Sequence, residues 1–554
     1  MTFQAKEQVL LSKLKEQCSP SLYRYAEREL TDFYTNCYKT FDERAVHTDR
    51  EGQPRLIRYD RFGEEVSHVW VNEGYKQTVD ATYKTGIVGY IHKDIPELGE
   101  KGNYTYSFAQ GYILSQVEPG FYCPVTLTMA VAYVVDHFAS DALKERFLPH
   151  LLATGDVELY EGATFLTERQ GGSDVGANVV CAVPDENHYR LYGEKYFASN
   201  VGQCGVAAVL ARIEGAESGT KGLSLFLVPW KEDDGKVNQL YVRRLKDKLG
   251  VRAVPSGEVV FDGAKAYLVG DETRGLAYMM EALNLSRICN SIASVGIMKR
   301  ALNEAVTYAE KREAFGKKLT EHTMIQETIA TLYARQEIQL SALFESIALY
   351  EQVASEPEKA RSDDIALNRL FIALLKARTA KEAITFSHEA IELHGGNGYI
   401  EDFVLPRLLR DAQVLTVWEG TENILALEVL RLLHTYQVDQ LFSRALQEAL
   451  SRAKQAMAPV VLAQVEKKHA SLTVFLAKLK KASREEQMYH AKRLADQMTD
   501  LWLVVHGYAR SVDKRSRLLA DILRRHLWMA DEYDDTMLES FAVVMARREG
   551  AQAL

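Results

Sequence analysis

Three stretches of this sequence bring together residue types that can do chemistry, and each also has an ordinary structural reading. In Val417-Trp418-Glu419-Gly420-Thr421-Glu422-Asn423 a lone carboxylate follows the apolar run 414–418 and precedes a glycine. An aromatic wall that excludes water penalises the charged form of a carboxylate and raises its pKa. Such a group suits the removal of a carbon-bound proton near neutral pH. The plain alternative is that Glu419 ends a strand or loop, with Thr421 as helix N-cap and Glu422 in the first turn. The second stretch, 164–175, holds Thr167, Gly171, Gly172 and Ser173. Its glycines let backbone approach a ligand closely and its hydroxyls can donate to phosphate or heterocycle oxygens, or the same residues form a capped turn. The third, Lys195-Tyr196-Phe197-Ala198-Ser199-Asn200, sets aromatic, hydroxyl and amide side by side, which is equally the pattern of core packing plus a turn. Arg312, Phe315 and Gly316 end a long helical pattern in charge and glycine, ordinary C-capping unless Arg312 meets a phosphate. Neither 164–175 nor Gly395-Gly396-Asn397-Gly398 completes a G-x-G-x-x-G after a strand, so a nicotinamide-type Rossmann site is poorly supported.

The elements that must carry these residues change texture along the 554-residue chain. Residues 1–155 read as mainly helical, with long apolar-periodic runs from 104 to 153, such as 125–138, broken at Glu118-Pro119-Gly120, while 55–63 is a loop or hairpin. Residues 156–269 alternate short β-branched and aromatic runs with turn signals such as Asp185-Glu186-Asn187 and Asp234-Gly235, which predicts a β-barrel or sandwich. Residues 270–433 return to long helical patterns over 279–311, 324–353 and 365–388, and 434–554 continue as an amphipathic helical tail. The expected fold is α+β and multidomain.

Order and spacing make these motifs specific, and from 104 to 432 the chain resembles the acyl-CoA dehydrogenase superfamily. Thr167 and Ser173 stand six apart like that family's flavin-binding hydroxyls, and Phe197 with Ser199 matches its flavin-wall segment, phenylalanine replacing tryptophan. Arg312, Phe315 and Gly316 match its Arg-x-x-Phe-Gly, Gln326 its adenosine-side glutamine, and Gly395, Gly396 and Gly398 its diphosphate loop. Trp418-Glu419-Gly420-Thr421 matches the segment whose glutamate is the base. Arg287 matches an arginine near the acyl-thioester channel. Asn284 stands where aspartate is common, Glu392 where glutamine precedes the glycine loop, and Asn423 where Glu or Gln follows the base. These choices are similar to the AidB-like, alkylation-response branch, as are 115–124, 167–175 and 245–250.

The resemblance implies an acyl-CoA dehydrogenase-like fold with helical, β and helical-bundle domains plus the tail. It implies a FAD-dependent oxidoreductase of fatty acid metabolism in which Glu419 takes the α-proton of an acyl-CoA while a β-hydride passes to flavin N5. Thr167, Ser173, Phe197, Ser199, Arg312, Phe315, Gln326, Gly395, Gly396, Thr421 and Asn423 are then cofactor-binding, and Arg287, Asn284, Trp418 and Gly420 line the substrate. Arg312 acting across an interface implies a homotetramer, and reoxidation implies an electron-transfer flavoprotein or another acceptor. The alternative is an AidB-like flavoprotein with vestigial acyl-CoA activity that binds DNA through its tail. Net charge is −9, and 431–554 hold 20 Lys/Arg against 15 Asp/Glu, so +5 there and −14 elsewhere. Lys478, Lys480, Lys481, Arg484, Arg515, Arg517, Arg524 and Arg525 are the candidate phosphate contacts, interleaved with Glu485, Glu486, Asp531, Glu532, Asp534 and Asp535. An acyl-CoA oxidase shares the same residues. Six scattered cysteines suggest neither a disulfide framework nor a zinc site, and no metal is expected. No secretory signal and no stretch near the ~20 apolar residues that cross a bilayer are evident, so the expectation is a cytoplasmic protein away from membranes.

Overall fold

Short apolar runs separated by Asp, Asn and Gly turns become strands in the computed structural model, which describes residues 2–357, 359–529, 538 and 540–546. The chain falls into two compact units, Asp32–Cys289 and Met1–Thr31 with Asn290–Leu554.

In the first unit, seven strands form one sheet: β1 (Glu161–Phe165), β2 (Cys181–Asp185), β3 (His188–Ser199), β4 (Cys204–Ile213), β5 (Leu223–Pro229), β6 (Leu240–Leu245) and β7 (Ser256–Leu268). The pairings β7–β3, β3–β2, β2–β4, β4–β5 and β5–β7 close on themselves, so the expected barrel or sandwich is a barrel, with β6 and β1 flanking it. Closure depends on a register shift between Asp262 and Ala264, which bends β7 so that Tyr267 and Leu268 reach Leu227 and Phe226. Phe165, Leu191, Val209, Phe226, Val259 and Phe261 fill the interior, each such side chain contributing roughly 1.5–3 kcal/mol by burial. Asp185-Glu186-Asn187 is the predicted turn, with Glu186 at φ +53°, and 55–63 is a hairpin, pairing Arg55–Tyr59 with Glu65–Trp70.

Helix α1 (Pro119–Phe138) begins at the predicted break, where the Glu118 carboxylate accepts from Gly120 N. It lies on β1 at Gly162, where a Cβ would come within 2.8 Å of Thr128 Cα. Contrary to the expectation from sequence, this 20-residue helix is long and apolar enough to cross a membrane, yet 83% of its apolar window is buried inside the protein. Its apolar circumference serves a core.

The second unit is helical. Helix α2 (Gly275–Lys311) enters it at Asn290 and is followed by α3 (Thr323–Ser355), α4 (Ser362–His394), α5 (Leu405–Leu415) and α6 (Glu422–Tyr436). The tail continues as α7 (Val438–Ala453), α8 (Pro459–Leu479), α9 (Arg484–Ala509) and α10 (Lys514–Trp528). Ion pairs tie these last helices inward: Arg378 on α4 reaches Asp500 on α9 at 2.6 Å, and Arg515 on α10 forms a two-pronged pair with Glu337 on α3, both bonds 2.8 Å.

Candidate active site

The segment before Glu419 is the end of a helix, not of a strand. Val414 and Leu415 are the last residues of α5, and Val417 and Trp418 N–H groups both return to Val414 O, at 2.8 and 2.9 Å. Glu419 then adopts φ +60° and Gly420 φ +105°. A left-handed conformation is uncommon for a non-glycine residue and clusters at functional positions. Trp418, Glu419 and Gly420 are half-buried, whereas Thr421 and Asn423 are exposed. Thr421 does stand at the N-cap of α6, but its side chain makes no capping bond. Lys381 at 2.5 Å and Lys492 at 3.8 Å hold Glu422 in the first turn.

In the barrel unit, the Thr167 loop is pinned from beneath. Tyr196 N donates to Thr167 O at 2.8 Å, which sets the loop beside β3. Glu168, 2% exposed, accepts from Val179 N at 2.7 Å, Val180 N at 3.2 Å and Lys195 Nζ at 2.8 Å. Lys195 also donates to Leu166 O at 3.2 Å. Burial pulls the Lys195 ammonium down to about 8, against the opposing pull of Glu168. Gly171 has φ +127°, a conformation side chains rarely adopt, and a Cβ on Gly172 would sit 2.5 Å from Thr167 Oγ1 and displace that hydroxyl. Ser173 is exposed and Thr167 half-buried. On β3 the Phe197 ring is 53% exposed, and Ser199 faces Ser256 across the β3–β7 pair with oxygens 3.5 Å apart. Asn284 and Arg287, both buried on α2, bond to each other at 3.2 Å.

The remaining candidates lie in the helical unit. Glu313–Ala314 and Lys317–Lys318 pair as a hairpin whose tip is Phe315 at φ +53° and Gly316 at φ +79°, with Phe315 97% exposed and Arg312 exposed at its base. Gln326 Nε2 donates to Thr320 O at 2.9 Å. Gly395, with φ +60°, and Gly396 stand exposed, and a Cβ on either would meet nothing. Gly398 is buried, with Ile391 O only 2.6 Å from where its Cβ would lie. His394 stacks on Tyr308 at 4.1 Å and supports this loop.

These groups fit a flavin dinucleotide in kind. A half-exposed aromatic wall beside hydroxyls suits a flat heterocycle, and bare glycine backbone with an exposed arginine suits a diphosphate. Of the tail cations, Arg515 and Arg524 are buried and turned inward, Arg524 onto Gln464 at 2.7 Å, and Lys480 pairs with Asp439 at 2.6 Å. That removes Arg515 and Arg524 as phosphate contacts and leaves Lys478, Lys481, Arg484 and Arg517 exposed, with Arg525 half-buried. Glu485 and Glu486 sit in the first turn of α9, whereas Asp531, Glu532, Asp534 and Asp535 fall outside the described residues. Glu168, Lys195 and Lys376 are supports that the motifs did not point to; for Lys376 the available signal was a charged residue inside the apolar run 371–377.

Residues 273–434 match the acyl-CoA dehydrogenase C-terminal domain, 163–264 its middle domain, and 17–155 the adaptive response protein AidB N-terminal domain. The chain is 32% identical over 388 residues to acyl-CoA dehydrogenase family member 11 of Caenorhabditis elegans, covering 68% of this chain and 62% of that one, less than two thirds of it. It is 31% identical over 390 residues to the putative acyl-CoA dehydrogenase AidB of Escherichia coli strain K12, covering 69% of each. The solved structure of C. elegans ACDH-11 in complex with C11-CoA is similar with a TM-score of 0.85 at 27% identity, over 95% of this chain and 91% of that one. The apo-form of Bd2924 gives 0.80 at 30% identity, over 91% and 96%.

Proposed function

This chain belongs to the acyl-CoA dehydrogenase family, with an AidB-type N-terminal domain, and on that footing we propose that it is a FAD-dependent oxidoreductase acting on the CH–CH bond of an acyl-CoA thioester. The observation that carries the reading is the strained corner at Glu419, a half-buried carboxylate in a left-handed turn beside Trp418. Glu419 removes the α-proton of the thioester, a step for which a positioned base contributes about 10²–10⁴-fold. The charge that develops on the thioester oxygen needs a donor already in place, which a backbone N–H at the base supplies. When bound, the flavin supplies the acceptor for the β-hydride. Phe197, Thr167, Ser173 and Ser199 hold its ring side, with Thr421 and Asn423 near the base. Arg312, Phe315, Gln326, Gly395 and Gly396 hold its diphosphate and adenosine. Arg287, Asn284, Trp418 and Gly420 line the acyl-CoA channel. Arg312 serves a neighbouring subunit in a homotetramer, a role supported by the fully exposed Phe315 beside it. We place the enzyme in the cytoplasm, with an electron-transfer flavoprotein or another acceptor completing turnover.

The test is to purify the protein, record its visible spectrum, and titrate it anaerobically with acyl-CoAs of graded chain length. A yellow protein that bleaches with one class supports the reading; a colourless protein that takes up no added FAD refutes it. Reoxidation by air as fast as by an artificial acceptor would mark an oxidase instead.

A second reading, DNA association with vestigial acyl chemistry, is favoured by the AidB-type N-terminal match and by exposed Lys478, Lys481, Arg484 and Arg517. It requires DNA retention that weakens steeply with salt. Retention indifferent to salt, or none at all, removes it.

A further inference from the structure

Helix α4 is apolar where it crosses the core, with Phe371, Ile372, Ala373, Leu374 and Leu375 all buried, yet the next residue is Lys376, 1% exposed. An ammonium withdrawn from water is costly unless its donors are used. Lys376 Nζ lies 2.7 Å from the carbonyl oxygen of Gly420, so this buried cation grips the peptide that follows Glu419. That peptide closes the corner formed by Glu419 at φ +60° and Gly420 at φ +105°, and the first of these is a conformation a glutamate holds only where its surroundings over-determine it. The other end of the corner is gripped as well, by Asn290 Nδ2 on α2 donating to Leu415 O at 3.2 Å. Side chains from two other helices thus fix the backbone on both sides of the candidate base.

We infer that Lys376 is a positioning residue for Glu419, locking the carbonyl of Gly420 so that the carboxylate is delivered in one orientation. The inference rests on the reading of Glu419 as the base. Its physical ground is that packing alone does not call for a charge here. A methionine of similar length fills the same space without the desolvation cost of an ammonium. What methionine cannot do is hold the carbonyl, and a displacement of about 1 Å at a reacting group costs on the order of 10²-fold in rate.

The experiment compares holoenzyme forms of the wild type, Lys376→Met, Lys376→Arg and Glu419→Gln. Each is mixed anaerobically with a straight-chain acyl-CoA that bleaches the wild type, with thermal melts alongside. Lys376→Met is expected to fold with its flavin bound, to melt a few degrees lower because the Gly420 carbonyl loses its donor, to bind acyl-CoA within about 2-fold of wild type, and to be reduced about 10–100-fold more slowly. Lys376→Arg, which retains a donor, is expected to recover most of that loss. If Lys376→Met does not fold, Lys376→Gln reads the same quantity, since it too lacks the reach to Gly420 O. Reduction of the Met or Gln variant at the wild-type rate while Glu419→Gln stays oxidised overturns the positioning role alone. Reduction of Glu419→Gln at the wild-type rate overturns the base itself.

Discussion

Glu161 opens β1 with 5% of its surface exposed, where it accepts from Tyr83 OH at 3.1 Å. The same hydroxyl lies 2.8 Å from Thr128 Oγ1, which in turn accepts from Gly162 N at 2.8 Å. Burial pushes the Glu161 carboxyl up to about 7 from 4.5, despite hydrogen bonds from Tyr83 and Asn200 that pull the other way. The folded protein therefore keeps a proton that the unfolded chain has lost between pH 4.5 and 7. Folding in that window takes up a proton, and each pH unit removes about 1.4 kcal/mol of stability. The contribution is fully present below the unfolded value, declines through the window, and is gone above about 7. Over about 2.5 units the loss is about 3 kcal/mol. Glu161→Gln removes the titration while keeping an acceptor for Tyr83. Denaturation of both proteins across pH 4 to 8 should show the glutamine variant gaining about 3 kcal/mol on the wild type, nearly all of it between pH 4.5 and 7. Parallel stability curves would refute the reasoning and show Glu161 ionised in the fold.

Lys195→Met leaves the Glu168 carboxylate buried without its cation and should destabilise the barrel unit by about 3–5 kcal/mol, with a melt and flavin affinity as the readouts; an unchanged melt would contradict the account of the 166–180 loop. Gly398→Ala places a Cβ 2.6 Å from Ile391 O and should lower the melting temperature by several degrees. Gly396→Ala meets nothing within the chain, so it should leave the melt unchanged and weaken only added FAD, as equilibrium dialysis would show.

Much of this architecture is legible in sequence because it is periodic. The helical patterns over 279–311, 324–353 and 365–388 lie inside α2, α3 and α4, and the region 156–269, read as short strands between turns, holds β1 to β7. Ring closure was not legible, because the β5–β7 pairing depends on a bulge in β7 that no local pattern announces. The run 414–418 misled because five residues, four of them apolar, carry too little period to tell a helix end from a strand. Charge counting failed in the tail for another reason: Arg515 pairs with Glu337, 178 positions away, and composition cannot distinguish an inward arginine from a surface one. The support Lys195 escaped for the same reason, since beside Glu194 it reads as one more solvated face, whereas Lys376 stands alone in the apolar run 371–377 and was legible there.

Glu419 as the base is tested most directly by the anaerobic half-reaction of the Glu419→Gln holoenzyme with an acyl-CoA that bleaches the wild type. The expected result is a yellow variant that binds the thioester, with the spectral perturbation this brings, yet stays oxidised on a timescale about 10²–10⁴-fold longer than the wild type. A variant that bleaches at the wild-type rate would contradict it.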